Sequence, residues 1–192
     1  MKLSAQKHYC VGTTRKWIDE GWHDVKTAIN VSVLQLQRPK FPQELREILE
    51  DENCHGSKIE IEITESLLRD SKSIKSIKRI KKMGVKVAID DFGTGYSSLS
   101  TLKHVPIDCL KIDKSFIDDI HTQNEAIVKT IINMGSNLNC KIVAEGVETR
   151  EQVEFLQQLD CHYIQGYYYS KPVLASEIPK IKMTIQQDTQ FI

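Results

Sequence analysis

Six positions in the chain stand where a short apolar run gives way to polar sequence, and each holds an acid, a base or a metal ligand: Asn30, Glu62, Asp90 with its neighbour Asp91, Lys111, Glu145 and Gln165. Any one of them is explained by polarity resuming at the end of a strand. Six together are not, because chance would scatter such groups over both ends of a sheet, whereas barrel enzymes gather them where the βα loops converge. Carboxylates at this density repel one another unless cations lie among them. Oxygen donors without His or Cys favour Mg²⁺ or Mn²⁺, with Ca²⁺ as a competitor of different coordination number. Zinc is disfavoured, and the six histidines (His8, His23, His55, His104, His121, His162) show no metal-ligand spacing. Two hard cations close together would activate water and stabilise an in-line displacement at phosphorus. Lys111 is placed to steady the charge that develops there.

The segment Asp91-Phe92-Gly93-Thr94-Gly95-Tyr96-Ser97-Ser98 has two glycines two apart, which permits a tight backbone path. No lysine follows as in a P-loop, so the pair alone is weak evidence for a phosphate site. Lys72, Lys75, Lys78, Arg79, Lys81 and Lys82 alternate with an isoleucine stripe and read as a solvated helix face. Tyr167, Tyr168 and Tyr169 follow Gln165 and Gly166, where they would either stack on a base or pack beside Pro172.

Convergence of this kind requires strands that run the same way. Short β-branched or aliphatic runs alternate with helical stretches, the pattern of βα units and of a parallel sheet covered by helices. Strands are expected over Lys26–Val31, Lys58–Ile63, Val85–Asp90, Cys109–Ile112, Lys141–Glu145 and Tyr163–Gln165. Helices are expected over Gln6–Glu20, Phe41–Asp51, Ser71–Met83, Asn124–Leu138 and Arg150–Leu159. Ile74, Ile77 and Ile80 form the inner stripe of the third helix, and Ile127, Val128, Ile131 and Ile132 that of the fourth. Thr149 and Gln152 have the spacing of a capping box that opens the fifth, whose inner face is Val153, Leu156 and Leu159. A closing helix is expected over Ala175–Met183, with a frayed tail over residues 184–192.

With 26 Lys+Arg against 26 Asp+Glu, 40% apolar and 27% charged residues, the 192-residue chain suits one globular domain and excludes disorder, collagen and coiled-coil arrays. Zero net charge leaves no basic field of the kind that grips a nucleic-acid polymer, so a phosphate-bearing ligand must be met locally. Cys10, Cys54, Cys109, Cys140 and Cys161 are dispersed without a C-x-x-C spacing and read as free thiols of a reducing compartment, which makes a cytoplasmic location the expectation. No apolar run approaches the roughly 20 residues of a membrane span, and the first residues lack the apolar core of a signal peptide.

Ordered blocks at these same positions resemble the EAL-domain family, bacterial second-messenger phosphodiesterases that hydrolyse cyclic di-GMP to its linear dinucleotide. The blocks are Asn30-Val31-Ser32, Glu62-Ile63-Thr64-Glu65-Ser66, Asp90 through Leu99, Lys111-Ile112-Asp113, Ala144-Glu145-Gly146-Val147-Glu148-Thr149 and Gln165-Gly166-Tyr167. The resemblance runs from about Trp17 to Pro172. It implies an α/β fold, the (β/α)₈ TIM-barrel-like architecture of the family, shortened to about six βα units, with a site for two Mg²⁺ or Mn²⁺ ions. By the same resemblance Asn30, Glu62 and Asp90 are metal ligands, with Asp91 on the second ion. Lys111 matches the lysine near the attacking water, Glu145 the glutamate that acts as base or ligand, and Gln165 the glutamine at the water and metal site. Glu65 matches an acid that holds the loop carrying Gly93, Gly95 and Ser97, and Glu148, within the Glu145 block, is grouped with these supporting residues. Cyclic di-GMP is the implied ligand. A homodimer, or fused sensory or GGDEF domains in a longer protein, are the implied partners.

The Glu-Ala-Leu strand that names the family, whose glutamate binds metal, and the phosphate-holding arginine after it have no counterpart among these residues. Glu125-Ala126-Ile127 is no substitute, because it falls in the helix expected over Asn124–Leu138. A closed (β/α)₈ barrel typically takes roughly 250 residues, and six strands leave two edges. Two expectations follow: a cyclic di-GMP phosphodiesterase domain with weak or no activity by itself, or a degenerate module that binds cyclic di-GMP or a protein partner without turnover.

Overall fold

Each expected strand forms, and all six pair in parallel in the order of the chain: β1 (Thr27–Asn30), β2 (Ile59–Thr64), β3 (Lys86–Phe92), β4 (Cys109–Ile112), β5 (Lys141–Ala144) and β6 (Tyr163–Ile164). The computed structural model describes residues 2–95, 102, 104–120 and 124–180. Between the strands run α1 (Lys2–Asp19), α2 (Val33–Leu36), α3 (Phe41–Asp51), α4 (Ser71–Lys81), α5 (Lys114–Asp118), α6 (Glu125–Asn137) and α7 (Arg150–Gln158). Two 3₁₀ turns, Gly56–Lys58 and Glu65–Arg69, flank β2. The sheet curls into half of a barrel, and β1 and β6 are its edges.

Alternation along the strands divides the sheet into two unlike faces. Ile59, Ile61 and Ile63 of β2, Val87 and Ile89 of β3, Leu110 and Ile112 of β4 and Ile142 of β5 are all at most 1% exposed. They join one core with Leu45 and Ile48 of α3, Ile77 and Ile80 of α4, Val128, Ile131 and Ile132 of α6, and Val153 and Leu156 of α7. Each such side chain contributes on the order of 1.5–3 kcal/mol through removal of apolar surface from water. The intervening residues, among them Glu60, Glu62, Cys109 and Lys111, face the hollow of the half-barrel. Burial pushes the Cys109 thiol up to about 12, and all five cysteines are unpaired. Among the described residues no helix is long and apolar enough to cross a membrane.

Several details differ from the sequence expectation. Ile127 is 42% exposed, because the buried face of α6 is Val128, Ile131, Ile132 and Gly135, and Ile127 lies beyond its border. Ile74 and Leu159 are only partly buried. The short helices α2 and α5 were not anticipated: four and five residues carry no helical period, and each is set by its N-cap. Of the closing helix expected over Ala175–Met183, residues 175–177 form a turn and 178–180 are helical. Residues 181–183, the tail at 184–192, Ser97 and His121 lie outside the described residues.

Candidate active site

Lys111 is the third residue of β4, and its neighbours Leu110 and Ile112 are fully buried among the helices, so its own side chain points into the hollow. There it is 5% exposed. Its ammonium meets Glu62 Oε1 at 2.6 Å, Glu145 Oε1 at 2.8 Å and Asp90 Oδ1 at 2.9 Å. The contact with Asp90 is a hydrogen bond, and those with Glu62 and Glu145 are ion pairs. The register explains the meeting. Thr64 pairs with Asp90, which sets Glu62 one pleat deeper in the hollow, and Glu145 N–H donates to Ile112 C=O at 3.1 Å, which starts the loop after β5 directly above Lys111.

The electrostatics are strongly coupled. Burial by itself lowers the pKa of Lys111, but its contacts with Glu145, Glu62 and Asp90 carry it well above the ordinary lysine value. Burial lifts the Glu145 carboxyl above the usual carboxylate range, and Asp90 and Glu62 add to the lift while Lys111 opposes it.

A bulge on β3 brings in a further carboxylate. Ile89 pairs with Leu110 and Phe92 with Ile112, so β3 advances one residue more than β4 over the same stretch. The extra residue is accommodated by Asp91 at φ 52, a left-handed conformation that Asp tolerates better than most side chains. On a regular strand Asp90 and Asp91 would face opposite sides. Here ligand oxygens of Asp90, Asp91 and Glu145 all lie within 4.8 Å of one another. Asp91 is exposed, and its carboxyl is raised by lost solvation and by the neighbouring Asp90 and Asp113. Three carboxylates with Glu62 alongside, and no nitrogen or sulfur donor among them, fit a hard divalent cation.

Glu65, 5% exposed at the start of the 3₁₀ turn after β2, holds the segment that follows the bulge. Its Oε2 accepts from Gly93 N–H and Gly95 N–H, each at 3.2 Å. Gly93 sits at φ 100, where a Cβ would lie 2.8 Å from the Phe116 ring. Ser97, expected in the same loop, is outside the described residues.

The remaining expected residues flank this group. Asn30 is exposed at the end of β1 and pairs with Glu62, so the two share a face of the sheet. Gln165 is exposed just past β6; its N–H donates to Ala144 C=O at 2.8 Å, and it lines a cavity of about 490 Å³ with Ile164, Gly166, Tyr169 and Ser170. Gly166 admits no side chain, because a Cβ would overlap the Val147 backbone. Glu148 stands apart in a 2.5 Å ion pair with Lys114, near the surface. Tyr167, Tyr168 and Tyr169 are 55%, 41% and 38% exposed, so packing beside Pro172 does not bury them.

One participant was missed. Asp113 stands near enough to the Asp91 carboxyl to raise it, and it accepts from Ser115 N–H at 2.9 Å, capping α5. Its signal was present as an Asp-x-Ser cap directly after a strand.

The sequence matches the family described as EAL domain over residues 8–172. It is 41% identical over 168 residues to the bifunctional diguanylate cyclase/cyclic di-GMP phosphodiesterase MucR of Pseudomonas aeruginosa, covering 85% of this chain and 24% of that protein. The fold is similar to a solved PaMucR phosphodiesterase in a c-di-GMP complex, with TM-score 0.88 and 37% identity over 91% of this chain and 72% of that one. It is also similar to Klebsiella pneumoniae BlrP1 in a manganese/cy-diGMP complex, with TM-score 0.79 and 31% identity over 90% of this chain and 44% of that one. The chain spans about a fifth of the length of the curated relatives it matches.

Proposed function

The chain belongs to the EAL domain family, and from that membership we propose that it supplies the catalytic rim of a phosphodiesterase that opens cyclic di-GMP to its linear dinucleotide. The observation that carries this reading is the Lys111 ammonium held among Glu62, Asp90 and Glu145, with Asp91 beside them. Asn30, Glu62, Asp90 and Asp91 would hold two divalent cations, Mg²⁺ or Mn²⁺, which when bound supply Lewis acidity and lower the pKa of water. Glu145, its carboxyl raised above the ordinary glutamate value by burial, accepts the proton of the attacking water. Lys111 presents a fixed positive charge to the phosphoryl oxygens as negative charge builds on them. Gln165, at the far edge of the rim, orients the water through its amide. Glu65 acts at one remove, by anchoring the loop next to Asp91.

The test joins the chain to the Glu-Ala-Leu segment of a family member, because that segment brings the remaining carboxylate and the phosphate-holding arginine. With Mn²⁺ present, the joined protein is expected to convert cyclic di-GMP to the linear dinucleotide, followed by chromatography. Glu145→Gln should lower turnover by about 10²–10⁴-fold with little change in nucleotide affinity. Nucleotide that binds and is never cleaved would favour a binding module over an enzyme.

A further inference from the structure

The Lys111 ammonium lies against oxygens of Glu62, Asp90 and Glu145 at 2.6, 2.9 and 2.8 Å, on a side chain only 6% exposed. One ammonium cannot neutralise three carboxylates, so the group still attracts a cation. A cation approaching the same carboxylates, however, meets a positive charge already in contact with them, in a setting where water screens little. Each recorded contact takes one oxygen of its carboxylate, so alignment of the group and repulsion of an incoming ion come from the same side chain.

We propose that Lys111 is a built-in competitor of the divalent cation: it aligns the three carboxylates while weakening their hold on the ion, and ion binding loosens its contact with at least one of them. This inference rests on the reading of the group as a metal site. A merely structural lysine makes the opposite prediction, since without it the carboxylates would splay apart and bind the ion less well.

The experiment is calorimetric titration of Mn²⁺ into the 192-residue chain and into its Lys111→Met variant, which keeps much of the side-chain length and loses the charge. The variant is expected to bind Mn²⁺ about tenfold more tightly, because the repulsion is gone. Lys111→Arg, which retains the charge, should bind no more tightly than the parent. A second measurement needs no substitution: in the chain labelled with ¹⁵N-lysine, the Lys111 ammonium resonance should shift in step with added Mg²⁺. Equal or weaker Mn²⁺ binding by Lys111→Met, or Mg²⁺ saturation without any change in that resonance, overturns the competition and leaves the proposed function standing. If neither parent nor variant binds Mn²⁺ even when joined to the Glu-Ala-Leu segment that brings the remaining carboxylate, the metal site falls and both readings fall with it.

Discussion

A carboxylate oxygen shared by two backbone N–H groups is difficult to replace, and Glu65 is in that position beneath Gly93 and Gly95. Glu65→Gln keeps an acceptor but loses the charge that strengthens both bonds, and its amide protons need new partners in a buried place. Urea unfolding of the variant should show a loss of about 1–3 kcal/mol, and an unchanged midpoint would mean that Glu65 is not an anchor. At this scale the rim was largely legible: Glu62, Asp90, Lys111 and Glu145 could be picked out because acids and a base recur at the ends of apolar runs. The placing of Asp91 beside Asp90 came from the family resemblance rather than from the strand pattern, and its nearness to Asp113 could not be read. Both depend on a register shift between β3 and β4, which is a property of two strands rather than of either sequence.

At the scale of elements, Gln152 ties α7 to its surroundings more firmly than a capping box requires. Its Oε1 accepts from Glu148 N–H at 2.8 Å and Thr149 N–H at 3.0 Å, and its Nε2 donates to Ile117 C=O at 3.0 Å. The cap is therefore also a clasp between α7, the end of α5 and the loop that begins at Glu145. Gln152→Ala would strand these groups in a buried place, and thermal or urea unfolding should register a loss of about 2–4 kcal/mol, more than the ~1 kcal/mol typical of a lost N-cap. A loss of only the latter size would reduce Gln152 to an ordinary cap. The box itself was visible as Thr149 and Gln152 three apart, and α3 and β4 have the bounds that periodicity and β-branched runs indicated. The tie to Ile117 was invisible because it spans 35 residues.

For the molecule as a whole, alternation of strand and helix was enough to indicate a parallel α/β sheet, since only crossover helices connect parallel neighbours economically. The half-barrel's curl and its open hollow were not written locally; they follow from how six strands twist against one another. That strand order has a further consequence. Because β1 to β6 pair strictly in chain sequence, every strand is hydrogen-bonded within the sheet only to its immediate neighbours, and β2 to β5 are flanked on both sides while β1 and β6 are flanked on one. The sheet should therefore unzip from its margins inward, as a series of partly independent units. Native-state hydrogen exchange is expected to rank the amides of β2–β5 as the slowest, exchanging only through global opening, and those of β1 and β6 as the fastest. Uniform protection across all six strands would contradict it. Under that gradient the ammonium and its carboxylates stand on the last ground to give way, while Asn30 and Gln165 ride on margins that open and close many times for each opening of the centre.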